Sequence, residues 1–145
     1  MPFEVLPAGY NVSNFIATVH EHTTPTAPAT VIRTNQTWGV KVHFETSGAL
    51  SNFLPGTWHI GIYLESIGPG QEIQAAFLHV PLTPGPDPVV YDIDVDVAAG
   101  LISVPNHQTR PFKLVTTVSY MWPNGDPGPM AGYLEGPIVQ FYNPA

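Results

Sequence analysis

The chain has 145 residues, of which 11 are acidic and 4 are basic, which gives a formal net charge of −7. This length suits one domain with a hydrophobic core of its own, so we expect a single domain over residues 1–145. Four basic residues are too few to follow a phosphate backbone, no apolar run approaches the ~20 residues of a membrane span, and the lack of cysteine excludes disulfides and thiolate chemistry.

The N-terminal segment 1–11 is predicted to be an extension ahead of the first strand. It has neither a basic region nor a continuous apolar region, so it does not have the pattern of a secretory signal peptide. On this basis we expect a cytoplasmic protein, or an extracellular one if the sequence is that of a mature form. The segment 22–30, which is rich in Thr, Pro and Ala, is predicted to be an extended connector between early strands.

Alternation of apolar and polar residues predicts β-strands through most of the chain. The segments 37–45 and 57–65 each place a tryptophan and three further apolar side chains on one face, which is typical of a half-buried strand. The segment 89–97 alternates apolar residues with three aspartates. No segment has the 3.6-residue period of an amphipathic helix with capping residues.

The spacing of these segments predicts an all-β fold of seven or eight strands. We interpret it as an antiparallel two-sheet β-sandwich without a disulfide, of the immunoglobulin-like or fibronectin III-like Greek key type. Trp58 then takes the place of the buried tryptophan on strand C. The predicted strands are A within 12–34, B 36–46, C 57–66, D 71–80, E 88–97, F 111–121 and G 132–142.

In this arrangement the B–C, D–E and F–G loops, residues 46–56, 81–88 and 122–131, lie at one end of the sandwich. They combine large apolar residues with proline, which lowers the entropy lost on binding, so they are a candidate recognition surface. The alternative is that the apolar residues fold back and close the end of the core. The candidate binding residues are Leu50, Phe53, Leu54, Trp122, Asn124, Asp126, Met130 and Tyr133.

Two histidines and three aspartates are candidates for metal binding. His20 and His22 lie on the same side of an extended segment and need a third ligand, for which His43, His59 and His107 are the candidates. The alternative is a pair of surface histidines, and we expect no metal or other cofactor. The carboxylates of Asp92, Asp94 and Asp96 are spread along a straight strand about 7 Å apart. They are expected to form a solvated acidic face that discourages edge pairing.

Three glutamates are the candidates for a catalytic carboxylate pair. Glycoside hydrolysis needs two carboxylates about 5 or 6.5–9.5 Å apart. Glu45 and Glu65 are predicted to lie on different sheets with their side chains pointing outward, and no other residues converge with Glu135 on a reaction centre. We therefore expect that the protein is not an enzyme.

The function that the sequence favours is a non-catalytic protein-interaction or self-assembly module, which binds a protein partner or a second copy of itself. Only 10% of the residues are charged, against about 25% in an average domain, and charge depletion is typical of interface cores. An exposed strand edge is a second way to bind another chain. The alternative is a small-ligand or carbohydrate-binding module that uses the aromatic residues Tyr63, Tyr120, Trp122 and Tyr133.

Overall fold

The computed structural model describes residues 3–5, 9–21, 29–52, 54–68, 70 and 72–144. Within these residues there are nine β-strands and a 3-10 turn, Ala49–Asn52. The all-β prediction is confirmed, but there are more strands than expected because two three-residue segments pair with the last strand. The strands are β1 Phe3–Val5, β2 Asn11–His20, β3 Val31–Arg33, β4 Trp38–Ser47, β5 Thr57–Ser66, β6 Glu72–Pro81, β7 Val89–Val97, β8 Gln108–Met121 and β9 Pro127–Asn143.

The strands form two sheets that resemble the layers of a β-sandwich. The larger sheet has the order β1-β9-β8-β5-β6, and β3 pairs with β9 in parallel. The smaller sheet has the order β2-β4-β7. All pairs of long strands are antiparallel, and strands β4 and β5 lie on different sheets as predicted.

The core lies between the sheets and follows the predicted alternation. Trp58 is fully buried, and its indole packs edge-on against the rings of Phe3, Phe44, Tyr91 and Tyr120 with centroid distances of 5.3–6.3 Å. Both alternating segments are confirmed as strands because every apolar residue that they place on one face is buried. These residues are Trp38, Val40, Val42 and Phe44 on β4, and Trp58, Ile60, Ile62 and Leu64 on β5.

The segment expected to extend ahead of the fold contributes to the larger sheet. Phe3 pairs with Gly132 on β9 and is only 5% exposed. A Cβ atom at Gly132 would lie 2.3 Å from Cδ2 of the Phe3 ring, so the glycine provides the space that the ring occupies. Of the predicted connector 22–30, residues 22–28 lie outside the described part of the chain.

The last strand is longer than predicted because its prolines lie where the ladder is irregular. The sequence predicted a loop over 122–131, but β9 begins at Pro127. The register between β8 and β9 shifts between Ser119 and Met121, and a proline costs no ladder hydrogen bond at such an irregularity. Pro137 lies at a second shift of the register, between Lys113 and Val115.

Candidate functional site

The three predicted loops lie together at one end of the sandwich, as their strand directions require. The Gly48 amide donates to the Asp87 carboxylate at 2.9 Å, which joins the B–C and D–E loops. The Tyr120 hydroxyl donates to the Pro55 carbonyl oxygen, and burial raises the pKa of that phenol. One hydrogen bond therefore joins two of the loops, and the other joins the B–C loop to the end of β8.

The apolar residues of the B–C loop face the core. Leu50 and Leu54 are half-buried and pack against the hydrophobic core, and the Leu54 amide donates to the Leu50 carbonyl oxygen at 3.0 Å. Phe53 lies outside the described residues. The two leucines thus help to close the end of the sandwich, which is the arrangement named above as the alternative to a binding tip.

The F–G loop is a short, internally bonded turn. The side chain of Asn124 donates to the Asp126 carboxylate at 2.9 Å and accepts from the Asp126 amide at 3.1 Å, so both residues shape the turn. Trp122 is 40% exposed and packs edge-on against Tyr120 at 5.1 Å. Met130, which the sequence placed in this loop, lies on β9 and is 1% exposed, so it belongs to the core.

Tyr133 lies apart from the loop end, on the outer face of the larger sheet. Its side chain is 57% exposed, and it borders a groove of about 520 Å³. The floor of the groove consists of small side chains, among them Thr117, Ser119 and Ala131, with Glu4 also lining it. The eight predicted residues therefore do not form one surface.

Of the two histidines considered for metal binding, the structure describes His20, which is buried. His20 is 2% exposed, and its Cε1 lies 2.7 Å from where a Cβ of Gly39 would be, so the imidazole fills space that the glycine leaves. His20 Nε2 lies 3.9 Å from Asp94 Oδ1, and His22 lies outside the described residues. Among the residues that the structure describes, no three His, Asp or Glu side chains are placed to hold a metal ion.

A hydrogen-bonded network, which the sequence analysis did not predict, spans the outer face of the smaller sheet. His43 on β4 contacts Asp92 on β7 through Nδ1 at 2.7 Å and contacts Glu45 through Nε2 at 3.2 Å. The Asn14 amide group on β2 donates to Glu45 at 2.7 Å. The hydrogen bond to Asp92 raises the pKa of His43, and the bond from Asn14 lowers the pKa of Glu45. The network joins all three strands of this sheet.

The free edges of the two sheets differ in how well they are protected against pairing. On the smaller sheet, β2 has a register shift between Ser13 and Ile16, with Asn14 at φ 55°. The other edge of that sheet, β7, exposes three aspartates. Bulges, charges and short strands are the usual protection of an edge, and β1 is only three residues long.

Strand β6 is the least protected edge, because its register shift and its single charge lie toward its start and leave residues 76–80 regular and uncharged. Its only charged residue is Glu72, the first residue of the strand. Phe77 is 58% and Leu78 is 39% exposed. Among the residues that the structure describes, no strand pairs with the free edge of β6. Long apolar edges of this kind are templates for pairing with another strand.

The exposure of β6 follows from the unequal size of the sheets. Leu78 pairs with Ile60 on β5, which is fully buried, so Leu78 points toward the inner side of the sheet. It nevertheless stays 39% exposed, because β6 is the edge strand of a six-stranded sheet that faces a sheet of only three strands. At Leu78 the inner side of β6 thus extends beyond the core, whereas Ala76 and Val80 on the same side pack against it.

The outer side of β6 presents an aromatic cluster. Phe77 lies 5.7 Å from the ring of His59 and 6.0 Å from that of His79. The two imidazoles are 4.5 Å apart, and burial together with the charge of His79 lowers the pKa of His59. The signal in the sequence that could have indicated this edge is the run 73–80, which contains no charged residue.

Comparison of the chain with protein-family models, curated proteins and solved structures finds no match. The described residues contain no helix that is long and apolar enough to cross a membrane.

Proposed function

We propose that this protein is a non-catalytic protein-interaction and assembly module that binds a strand of its partner along the edge of β6. The observation that carries this proposal is the edge itself, which combines ten residues of main chain, a single terminal charge and an exposed Phe77. In β-augmentation the main-chain hydrogen bonds give affinity, and alternate side chains give specificity. Phe77 and Leu78 point to opposite sides of the sheet, so each side of an added strand would meet an apolar contact.

We further propose that the sandwich is of the immunoglobulin-like or fibronectin III-like Greek key type. In the lettering used above, the smaller sheet has the order A-B-E and the larger sheet contains G-F-C-D. The immunoglobulin constant type has sheets ABED and CFG, and the variable type adds a strand beside C. Strand β6 pairs with β5, so it occupies that added position, and this supports the proposal.

The placement of the three glutamates supports a non-catalytic function. Glu45 is bonded to Asn14 and His43 on the smaller sheet, whereas Glu65 lies on the larger sheet. Glu135 lies on β9 and pairs with Lys113 at 3.6 Å. Of these three residues, Glu65 and Glu135 lie on strands of the larger sheet that β8 separates, and Glu45 is on the opposite sheet.

The edge is tested with a synthetic peptide of the β6 sequence carrying solubilising lysines at its ends. Binding is measured by fluorescence anisotropy, together with a peptide whose alternate main-chain amides are methylated. We expect saturable binding of the first peptide only, because methylation removes the donors of the ladder. Phe77→Lys should abolish binding, whereas Tyr133→Lys, which alters an equally exposed residue on the same sheet, should preserve it. Equal binding of the methylated peptide would refute the proposal.

A small-ligand or carbohydrate-binding function is the second candidate, and the groove beside Tyr133 is the observation that favours it. An exposed aromatic ring beside hydroxyl groups and a carboxylate can stack on the face of a sugar and bond its hydroxyls, and Tyr133, Thr117, Ser119 and Glu4 supply these groups. Binding on a glycan array that is lost in Tyr133→Ala but kept in Trp122→Ala would support this function. Binding that is lost equally in both variants would contradict a site at this groove.

A further inference from the structure

We infer that the strand bound at β6 is the β6 strand of a second copy, paired antiparallel about a two-fold axis through Leu78. This inference rests on the proposed function and names its partner. Two identical edges related by a two-fold axis form a closed dimer, in which the two larger sheets become one continuous sheet.

Charge is the first argument for a second copy. Each chain has a formal net charge of −7, so two copies approach most easily where neither has an acidic side chain. Residues 76–81 contain no charged residue. Pairing of two β7 edges about Asp94 would instead place that residue opposite itself and Asp92 opposite Asp96, and like charges directly opposite are destabilising.

The regular part of β6 fixes the register. The β5–β6 ladder is continuous from Thr57 with Pro81 to Ile62 with Ala76 and then shifts, which leaves Ala75 as the extra residue of a bulge. Pro81 has no N–H to donate. Residues 76–80 contain neither the bulge nor the proline, and Leu78 is the midpoint of this segment.

The symmetry is consistent with this midpoint. Opposite residues in an antiparallel pair point to the same side of the sheet, and an axis perpendicular to the sheet preserves the sides. One residue of each strand must therefore lie opposite the same residue of the other copy. With Leu78 on the axis, Ala76 lies opposite Val80 of the second copy, and Phe77 lies opposite its His79.

The side chains on both sides of β6 suit this register. On the inner side the exposed part of Leu78 is covered by Leu78 of the second copy. On the outer side Phe77 meets His79 of the second copy, so the aromatic clusters around His59 join across the axis. Aromatic pairs between strands are among the more stabilising cross-strand contacts.

The absence of native cysteine allows the register to be measured with single introduced cysteines. Directly opposite Cβ atoms lie about 4.5–5.5 Å apart, close to the disulfide range. Ala76 and its own copy would be four residues out of register, or about 13 Å, which is too far. We expect Leu78→Cys to form a covalent dimer under mild oxidation. Ala76→Cys should do so only when mixed with Val80→Cys.

Tyr133→Cys is the matched control, because this exposed residue lies on the same sheet away from the edge. Cross-linking of Leu78→Cys no faster than that of Tyr133→Cys would overturn the register. Light scattering of the unmodified chain tests the dimer without any substitution, and a monomer at all concentrations would overturn the second copy as the partner. If the β6 peptide still binds such a monomer, the proposed function stands and this inference alone fails. If neither the peptide nor a second copy binds, both fail.

Discussion

The imidazole Nδ1 of His43 lies 2.7 Å from Asp92 Oδ1, so a side chain of β4 is bonded to its cross-strand neighbour on β7. The second ring nitrogen faces Glu45 at 3.2 Å. An ionised carboxylate can only accept hydrogen bonds, so both ring nitrogens donate in this arrangement. The network is therefore complete only when the imidazole is protonated.

The stability of the smaller sheet should depend on pH through these two groups. The raised pKa of His43 gives a stabilisation that is fully present below about pH 6.5, the usual histidine pKa. It is lost as pH rises through the pKa of the folded state. The lowered pKa of Glu45 gives a stabilisation that is present above about pH 4.3 and is lost as pH falls through the folded pKa.

His43→Gln is the variant that tests this dependence. Urea unfolding at pH 5.5 and at pH 8.5 should show a smaller difference in the free energy of unfolding for the variant than for the native chain. The effect should be below about 1 kcal/mol, as for other exposed pairs. An NMR titration of the native His43 should give a pKa above the usual value. An unshifted pKa would contradict the network.

The contact between Phe3 and Gly132 is expected to attach β1 to the larger sheet. Gly132→Ala places a methyl group where the Phe3 ring lies, and overpacking of this kind costs about 1–3 kcal/mol. Both substitutions affect the same contact. The loss in the free energy of unfolding of the double variant Phe3→Ala/Gly132→Ala should therefore be clearly smaller than the sum of the losses of the two single variants. Denaturant unfolding of all four chains completes the cycle, and additive losses would show that the two positions are independent.

Residues near one another in sequence were predicted better than those brought together by strand pairing. Alternation is local, so it placed Trp38 and Trp58 in the core before any sheet was known. Which strand becomes an edge depends on pairing between distant segments, and the unequal sheets that expose Leu78 have no local signal. Pro127 was assigned to a loop because the irregular ladder that accommodates it is formed by β8. The prediction of a recognition surface on the loops rested on their composition. Composition does not distinguish a residue that closes the core, such as Leu54, from one that faces a partner.

Trp58 is expected to contribute far more to stability than Trp122. Trp58 is fully buried and contacts five aromatic rings, so Trp58→Ala should cost roughly 3–5 kcal/mol. Its Nε1 has no hydrogen-bond partner among the described residues, so Trp58→Phe should lose packing but no hydrogen bond and cost clearly less. Trp122→Ala, at a side chain 40% exposed, is the comparison. Equal losses in Trp58→Ala and Trp122→Ala by urea unfolding would contradict this placement of the core.

The aspartates of β7 are expected to keep that edge from pairing. Asp94→Thr/Asp96→Thr replaces two exposed charges with a residue that favours strands. The edge strands β6 and β7 of this variant could then both pair with other copies. Contacts through two different edges need not form a closed assembly, so the variant can associate beyond a dimer. Light scattering should therefore show larger assemblies for this variant. Glu65→Thr/Glu135→Thr removes the same charge from β5 and β9, which are not edge strands, and should leave the assembly size unchanged. Equal growth in both variants would mean that net charge, and not the β7 edge, limits association.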